Sequence, residues 1–289
     1  MPELPEVEVV RRRLSALVLD RAITEVRVSR ANYAFLTLPG QLRRRLLGRR
    51  FLEIKRHGKY LLFDLDDASR LVVHLGMTGQ LITSHAVNPR LYHSHEKAPN
   101  GARGEFVPDE HTHLSLDFAD RGAGLHFRDT RKFGKLLWLP KGAEDPRLTR
   151  LGVDAREITA TRLAEASSRR RIAVKALLLD QAVLAGVGNI YADESLFLAR
   201  IAPLRKSHSL TEREVKVLTQ CIRRVLERAI AKGGSTIDDY VHPDGSEGQF
   251  QHSFSVYGRD EKPCRRCCTL IKRVVIGQRS SHFCPNCQR

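Results

Sequence analysis

The chain has 289 residues, 42% of them hydrophobic, and its 49 lysines and arginines outnumber 33 acidic residues to give a formal net charge of +16. This length and apolar content allow two domains with separate cores and exclude a disordered chain. No apolar run approaches the roughly 20 residues that span a bilayer, and acids stand where a secretory signal would carry basic residues, so we expect a soluble cytoplasmic protein. The basic excess favours nucleic acid as a partner, although a ribosome-associated or membrane-surface protein would show the same excess.

The first eight residues, Met1 to Glu8, admit two interpretations. If Met1 is removed, Pro2 provides a secondary amine, much of it unprotonated near neutral pH, that can attack an electron-poor carbon. Glu3 would lie beside that amine with a carboxyl group able to transfer protons. Proline and acidic residues ahead of an apolar-periodic segment are equally typical of a helix start, so these residues alone leave both interpretations open.

The N-terminal half then alternates between helical and strand patterns. Apolar residues at helical spacing predict a helix that ends at residues 20–21, residues 23–28 read as a strand, and Pro39 opens a short helix closed by Gly48. A long interruption at about 84–110 is predicted to be an exposed hairpin loop. The remaining β-type segments predict an antiparallel sandwich or flattened barrel flanked by the two helices. They are residues 51–55, 60–65, 71–75, 113–118, 125–128 and 135–139.

Beyond a linker predicted at residues 140–155 the pattern becomes helical. A long helix is predicted at 211–232, with Thr211 and Glu214 spaced as a capping box. A polar, glycine-containing loop follows it and leads into the cysteine-rich end of the chain. Shorter helices are predicted near residues 161–168, 172–181 and 190–199.

Four cysteines near the C-terminus form two CxxC pairs separated by 16 residues. This spacing places four thiolates around one zinc ion and joins them by a β-hairpin; disulfides or free thiols are the alternative. Because protein ligands fill all four positions, the metal would be structural. Residues 271–279 alternate basic and apolar side chains, which suits a DNA groove or phosphate backbone. The predicted zinc ligands are Cys264, Cys267, Cys284 and Cys287.

A glycine turn before the third short helix is a candidate phosphate site. Gly186 and Gly188 precede Asn189, which we predict to be the N-cap, and open backbone N–H groups there could bind a phosphate. Any tight interhelical turn would use the same glycines. The basic run 169–171 and Lys175 favour phosphate modestly, although such runs are more often solvated helix faces.

Three further residues occupy turns between predicted strands. Phe133, flanked by cations, either inserts between bases or packs inward as an ordinary turn residue, and the inward packing is slightly favoured. Met77 is either a core plug or a small apolar wedge. Lys59 follows a glycine turn and is either a surface lysine or an amine near a phosphate or a proton-transfer site.

Together these motifs resemble the formamidopyrimidine-DNA glycosylases, part of the wider group of enzymes that excise oxidised bases. The motifs occur in family order from one end of the chain to the other. They are Pro2 to Glu8, Gly58 to Leu62, His74 to Gly79, Gly186 to Glu194 and the four-cysteine finger.

The resemblance implies a bifunctional glycosylase and AP lyase of base excision repair, which removes oxidised purines such as 8-oxoguanine and formamidopyrimidines and nicks the strand by β,δ-elimination. Pro2 would attack C1′ of the damaged nucleotide and form a Schiff base, and Glu3 would shuttle protons as the sugar ring opens. Lys59 matches the family's acid for β-elimination. Arg279 matches the residue linked to δ-elimination and phosphate contact.

The resemblance also implies residues that hold the duplex, because a damaged base must leave the stack before chemistry. The long preceding loop leaves His113 as an alternative to His111. The implied DNA-contact residues are His111, Arg131, Arg170 and Asn189. The implied wedge residues, which fill the gap left by the flipped nucleotide, are Met77, Arg131 and Phe133.

We therefore expect an α+β protein with one structural Zn²⁺, acting as a monomer on double-stranded DNA that contains damaged bases. Thr130 and Lys132 depart from the proline and arginine more usual around the wedge. An endonuclease VIII-like enzyme for oxidised pyrimidines and a non-catalytic zinc-finger DNA-binding protein are the alternatives. The expected parts are an N-terminal catalytic β-sandwich flanked by helices (1–139), a linker (140–155), a helix-two-turns-helix domain (156–232), a lesion-covering loop (233–254) and a zinc finger built on a β-hairpin (255–289).

Overall fold

The computed structural model describes residues 2–30, 33–91, 106–237 and 240–289. The chain divides into two compact units, one of Met1–Pro146 with Gly233–Gln249 and the other of Arg147–Lys232 with Phe250–Arg289. Residues 92–105 of the predicted loop at 84–110 lie outside the described residues. None of the helices in the described ranges is long and apolar enough to cross a membrane.

The described residues of the first unit form two four-stranded antiparallel sheets and two α-helices, which confirms the predicted sandwich. Its helices are α1 (Leu4–Val18) and α2 (Pro39–Leu46). Its strands are β1 (Ile23–Val28), β2 (Phe51–His57), β3 (Tyr60–Leu65), β4 (Arg70–His74), β5 (Gln80–Thr83), β6 (Thr112–Phe118), β7 (Leu125–Arg128) and β8 (Lys135–Leu139). The strand orders are β1-β6-β7-β5 and β2-β3-β4-β8.

The strand β5 is absent from the predicted set. It has four residues, all buried, so its sequence shows none of the alternation between apolar and polar side chains that marks a half-buried strand. The strand exists because it pairs with β7, from Gln80 opposite Arg128 to Thr83 opposite Leu125. Tertiary pairing therefore decides this strand, and local pattern does not.

The core of the first unit lies between the sheets and under α1. Phe51 and Phe63, with ring centroids 5.1 Å apart, belong to the same buried cluster as Phe127 of the other sheet. Val7 and Leu14 of α1 are fully buried in this cluster. Each fully buried apolar side chain of this size contributes about 1.5–3 kcal/mol relative to exposure, so α1 and the residues at its start are firmly held on the sandwich.

The second unit is mainly helical. The predicted long helix is confirmed as α7, and its capping box forms: the Thr211 hydroxyl accepts the Glu214 N–H at 3.3 Å and the Glu214 carboxylate accepts the Thr211 N–H at 2.8 Å. The predicted linker contains α3 and β9. The helices are α3 (Pro146–Thr149), α4 (Ala160–Ser168), α5 (Val174–Leu179), α6 (Asn189–Ala199) and α7 (Glu212–Ala231). The strands are β9 (Val153–Asp154) and β10 (Leu184–Ala185), which pair in parallel, and β11 (Lys272–Ile276) and β12 (Arg279–Phe283), which form an antiparallel hairpin.

Helix α6 is buried on all sides, because every residue from Ile190 to Phe197 is buried. Three of these residues are polar: Asp193, Glu194 and Ser195. Buried charged groups need partners, so their presence in an otherwise apolar helix indicates that α6 organises polar contacts inside the second unit.

Candidate active site and metal centre

The start of α1 separates the two interpretations of the N-terminus. Glu3 is the N-cap and is only 2% exposed, and its N–H donates to the Glu6 carboxylate at 2.9 Å. Pro5 occupies the first helical turn, where a proline is tolerated because its missing N–H is not needed. The helix-start interpretation therefore accounts for Glu3 and Pro5. Pro2 is buried and precedes the N-cap, so it has no role in the helix itself.

Glu6 also fixes the segment that follows α7 in the chain. The second Glu6 carboxylate oxygen accepts the Ser235 N–H at 2.7 Å, and the Tyr240 hydroxyl donates to the Glu6 carbonyl at 3.2 Å. Gly234, with φ +74°, is needed here because a Cβ atom would lie 2.8 Å from the Glu6 carboxylate. Ser235 and Tyr240 are therefore anchored to the first turn of α1.

Lys59 lies in the turn between β2 and β3, which is also tied to α1. Gly58 adopts φ +55°, and Lys59 is 9% exposed. The Arg56 guanidinium donates to the Gly58 carbonyl and to the Glu8 carboxylate, each at 3.0 Å. Arg56 thus couples the turn that carries Lys59 to the helix that begins beside Pro2 and Glu3.

Charges near this turn are held in defined protonation states. Burial alone would raise the pKa of Glu8, but hydrogen bonds from Arg11, Arg12 and Arg56 outweigh it and lower the pKa to about 2. Burial, followed by the positive charges of Lys59 and Lys135, lowers the pKa of His74 to about 4. Glu8 is therefore an anion and His74 a neutral imidazole near pH 7.

The predicted wedge residues lie on two turns that a single buried carboxylate holds together. Asp129 is fully buried; it accepts the Thr78 hydroxyl at 2.5 Å, the Gly134 N–H at 2.7 Å and the Arg131 N–H at 3.2 Å. Thr78 follows the predicted wedge residue Met77, which is half-buried. The Asp129 carboxylate thus fixes the turn at 76–79 against the turn at 130–134.

Phe133 does not pack inward, so that interpretation of the sequence is wrong. It is 49% exposed, and the Arg131 guanidinium stacks over its ring at 4.9 Å from the centroid. Stacking of this kind costs no core contacts and leaves the aromatic edge accessible. The pair therefore presents an apolar ring and a cation side by side.

The two histidine candidates differ in accessibility. His113 is 2% exposed, and its ring nitrogens contact the Asp129 carbonyl at 2.9 Å and the Ser29 hydroxyl at 3.3 Å. The His111 side chain is 24% exposed. His113 is buried against the Asp129 carbonyl, so His111 is the more accessible of the two histidines to a ligand.

In the second unit, α6 begins one residue earlier than predicted. Gly188 is the N-cap and Asn189 is the first helical residue, so the assignment of Asn189 as N-cap is wrong. The Asn189 amide nitrogen lies 3.5 Å from the Ser280 hydroxyl of β12, and its side-chain oxygen is buried without a hydrogen-bond partner among the described residues. Gly277 and Gln278 adopt φ +53° and +61° in the tight turn that presents Arg279, the exposed first residue of β12. Asn189 and the Arg279 end of the hairpin are therefore neighbours.

Lys175 is not available to a phosphate, which corrects the sequence-based expectation. It is fully buried and forms an ion pair with the fully buried Asp193 at 2.6 Å, and it donates to the Ser280 carbonyl at 2.7 Å. Asp193 also accepts the Ser281 hydroxyl at 3.1 Å and the His282 N–H at 2.8 Å. The pair joins α5 and α6 to β12. Arg170, in contrast, is 38% exposed and lies 3.4 Å from the Asp180 carboxylate.

Glu194, the next residue of α6, holds the chain that leads into the cysteine module. Its carboxylate accepts the backbone N–H groups of Ser255, Val256 and Tyr257 at 2.9–3.0 Å. Burial raises the pKa of Glu194, while these backbone hydrogen bonds act in the opposite direction. Motifs in the sequence include Asp193 and Glu194, but their roles depend on partners about 60 to 90 residues away.

The four predicted cysteine ligands converge, with all four Sγ atoms within 4.8 Å of one another. Sulfur separations are 4.0 Å for Cys264–Cys287, 3.4 Å for Cys267–Cys284 and 3.3 Å for Cys267–Cys287. Tetrahedral zinc with Zn–S bonds of about 2.3 Å requires sulfurs roughly 3.8 Å apart, so the residues fit the ion. In each CxxC pair the first sulfur also accepts a backbone N–H, from Arg266 and Cys287 respectively, at 3.4 Å. All six cysteines lie in the described residues and none is disulfide-bonded, so the disulfide alternative is wrong.

The fold and these sites define a basic DNA-binding enzyme with a structural zinc finger. Family models match three consecutive parts of the chain: the formamidopyrimidine-DNA glycosylase N-terminal domain at residues 1–136, the H2TH domain of the same family at 151–241, and the zinc finger found in FPG and IleRS at 261–289. The chain belongs to the formamidopyrimidine-DNA glycosylase family. It is a DNA glycosylase and AP lyase of DNA repair, so the non-catalytic alternative is wrong.

Individual relatives match along the whole chain. The formamidopyrimidine-DNA glycosylase of Cereibacter sphaeroides (strain ATCC 17025 / ATH 2.4.3) is 41% identical over 295 residues, with all of both chains covered. The crystal structure of MutM (Fpg) from Thermus thermophilus is 39% identical, covers 99% of this chain and 98% of its own, and superposes with a TM-score of 0.83. The Lactococcus lactis Fpg complex with a FAPY-dG containing DNA is 32% identical, covers 99% of this chain and 100% of its own, and has a TM-score of 0.85.

Proposed function

We propose that this enzyme excises oxidised purines, including 8-oxoguanine and formamidopyrimidines, through a Schiff base at Pro2 and then nicks the strand by β,δ-elimination. The observation that carries the proposal is the start of α1, where Glu3 is the N-cap and Pro2 lies outside the helix. The FAPY-dG DNA bound by the Lactococcus lactis relative supports the lesion class. A secondary amine beside a buried carboxyl group suits attack on a sugar carbon followed by proton transfer.

The chemistry assigned to these residues balances without a cofactor. The Pro2 nitrogen attacks C1′ and gives up its proton, the bond between C1′ and the damaged base breaks, and the base leaves with the bonding electrons and takes up a proton in balance. Glu3 protonates the ring oxygen O4′ as the sugar opens, which leaves an iminium between Pro2 and C1′. Loss of the proton at C2′ then expels the 3′-phosphate. Lys59, held through Arg56 and Glu8, supplies the acid for this β-elimination.

Zinc has no part in these steps. When bound, it holds the β11–β12 hairpin and so presents Arg279, to which we assign phosphate contact and δ-elimination. Asn189 is assigned to the same phosphate-binding role, because it is the first residue of α6 and its side-chain NH2, which can donate to a phosphate oxygen, lies beside Ser280 of β12.

The wedge role is assigned to the two turns joined by Asp129. Phe133 is half-exposed with Arg131 stacked on it, and the half-buried Met77 lies on the neighbouring turn. Apolar side chains of this kind can fill the space of an extruded nucleotide while a cation holds the backbone. His111 and Arg170 are assigned as further DNA contacts because both are partly exposed.

We also propose the division into parts set out from the sequence, with a monomeric enzyme acting on damaged duplex DNA in the cytoplasm. The clustering of Gly233–Gln249 with the N-terminal unit supports a role for the loop near the catalytic residues. The proposed parts are the catalytic sandwich (1–139), the linker (140–155), the helix-two-turns-helix domain (156–232), the lesion-covering loop (233–254) and the zinc finger (255–289).

Borohydride trapping on an 8-oxoguanine:cytosine duplex tests the nucleophile. We expect a covalent adduct with the wild type, much less with Pro2→Gly, and none when any residue remains in front of Pro2, while DNA affinity is retained in all three. Arg44→Gln is a suitable control, because Arg44 is exposed on α2 and has no assigned role in the proposed chemistry. No adduct with the wild type, or an adduct that Pro2→Gly leaves unaffected, would overturn the mechanism.

The endonuclease VIII-like alternative concerns the lesion and not the nucleophile. Turnover on 8-oxoguanine:cytosine and thymine-glycol duplexes separates the two branches. We expect the purine lesion to be the better substrate, and a strong preference for thymine glycol would overturn the purine assignment.

A further inference from the structure

The first residues of the long loop at 84–110 contact Gly245 and Glu247 of the proposed covering loop (233–254), within the first unit. We call residues 83–91, from the last residue of β5 onward, the clasp segment. The backbone N–H and the hydroxyl of Thr83 both donate to the Pro243 carbonyl, at 2.8 and 2.9 Å. Further along the clasp segment, the hydrogen bonds to the covering loop are made mainly by Asn88.

Asn88 is a buried polar residue, and its side-chain amide nitrogen binds the covering loop. Its amide donates to the Gly245 carbonyl at 2.7 Å and to the Glu247 carboxylate at 3.2 Å. Its side-chain oxygen accepts the Arg90 N–H at 2.8 Å, which fixes the rotamer that aims the amide. Arg90 in turn donates to Glu247 at 2.8 Å. Asn88 is 8% exposed, so water does not readily replace these bonds.

The covering loop is shaped to receive the clasp segment. Gly245 adopts φ +83°, and a Cβ atom there would lie 2.7 Å from the backbone nitrogen and oxygen of Val87. Any other residue at 245 would therefore be strained and would push the two backbones apart. An apolar cluster of Ile82, Ala86, Leu91, Phe106 and Val241 seals the same contact.

The covering loop is consequently held by two elements. Helix α1 binds Ser235 and Tyr240 through Glu6 and binds Asp244 and Ser246 through Arg13, and the clasp segment binds residues 243, 245 and 247. The first attachment is made to the helix that carries Glu3. The second is made to the beginning of a loop that the catalytic mechanism does not otherwise use.

We infer that Asn88 is a positioning residue that sets the conformation of the covering loop and thereby controls excision of the damaged base. The inference rests on the proposed function, because it takes the covering loop to contact the extruded base. Cleavage at a preformed abasic site has no base to cover. Loosening the clasp should therefore slow glycosylase turnover and leave the lyase step intact.

The test measures two rates for each variant of the full-length, zinc-loaded enzyme: excision from an 8-oxoguanine:cytosine duplex and cleavage of the same duplex with a preformed abasic site. Asn88→Ala removes the amide, and Gly245→Ala disturbs the same contact from the opposite side. For both variants we expect the excision rate to fall by roughly tenfold or more, because tenfold corresponds to the free energy of about one buried hydrogen bond. Abasic-site cleavage should stay within about twofold.

Val87→Ala is the matched control, because Val87 lies in the clasp segment with a side chain that is 56% exposed. It should leave both rates unchanged. Equal changes in the two rates for Asn88→Ala and Gly245→Ala, including no change in either, would overturn the inference. A wild type that forms no borohydride adduct on 8-oxoguanine DNA would instead contradict the proposed function, so the two failures are distinguishable.

Discussion

The buried ion pair between Lys175 and Asp193 provides a sharp test of how the second unit is held together. Both side chains are fully buried, and the ammonium nitrogen lies 2.6 Å from the carboxylate. Removing one partner of such a pair leaves an uncompensated charge and costs about 3–5 kcal/mol. The two partners are not equivalent, because their remaining hydrogen bonds differ.

In Asp193→Ala, the Lys175 ammonium loses its counter-ion while it still donates to the Ser280 carbonyl, and the Ser281 hydroxyl and His282 N–H lose their acceptor. In Lys175→Met, the carboxylate keeps those same two donors. We therefore expect Asp193→Ala to lower the free energy of unfolding of the second unit by about 4–5 kcal/mol and Lys175→Met by about 3 kcal/mol.

Native-state hydrogen exchange of the α6 and β12 amides measures these losses in the full-length protein. The control is the double variant Lys175→Met with Asp193→Leu, which replaces the pair by apolar groups and should recover most of the loss. A loss below about 1 kcal/mol for Asp193→Ala, or a larger loss for Lys175→Met, would refute the argument. DNA affinity should fall with Asp193→Ala, because Asn189 and Arg279 depend on the register of α6 against β12.

Four other results are expected. Burial lowers the pKa values of His126 and His242 to about 4, below the unfolded value of about 6.5. The stability that these histidines contribute above pH 6.5 should therefore be lost as the pH falls towards 4, by at most about 3 kcal/mol each. Urea titrations at pH 7 and pH 5 should show this loss, and His126→Gln should reduce it. The lowered pKa of Glu8 affects stability at lower pH than the histidines do. The contribution of Glu8 to the free energy of unfolding should be lost as the pH falls from about 4.5 to 2, and Glu8→Gln should remove that pH dependence. A chelator that removes zinc should abolish DNA binding before the first unit unfolds. Unfolding of that unit is followed by the fluorescence of Trp138, the only tryptophan of the chain, which lies in β8. Unchanged DNA binding after zinc removal would contradict a DNA contact by the zinc finger. Asp129→Asn weakens the acceptor of the Gly134 N–H and so loosens the turn that carries Phe133. Extrusion of the base, followed by a 2-aminopurine reporter, should slow, while cleavage of a single-stranded abasic site should not. Equal effects on both rates would contradict a wedge-positioning role for Asp129.

Local patterns in the sequence determined most elements of the fold. Strands β1, β3, β7 and β8 were predicted with their observed bounds, because short apolar-rich segments bounded by turn residues signal a strand without knowledge of its partner. The capping box at Thr211 and the CxxC spacing are equally local, since their geometry depends on residues only three apart. The family could be identified on the same basis, because its motifs are short and occur in order.

Properties that depend on distant partners were predicted wrongly or missed. Phe133 was favoured to pack inward, but Asp129 holds its turn so that the ring stacks under Arg131 at the surface. Lys175 was grouped with exposed cations, but Asp193 neutralises it inside the unit. A lysine in a basic run gives no local sign of whether a carboxylate from another helix lies opposite it, because burial is a property of the assembled structure.

The N-terminus shows the division between the two levels most clearly. The sequence by itself determined that Pro2 and Glu3 are a candidate amine and carboxyl group and that a helix follows them, since both conclusions depend on residue type and spacing. Only the tertiary structure decided which residue begins the helix, that Glu3 is buried, and that Glu6, Arg56 and residues of the covering loop surround that helix start. The reason is physical: hydrogen bonds between residues 48 to 229 positions apart depend on the closure of the whole sandwich, and no local pattern encodes it.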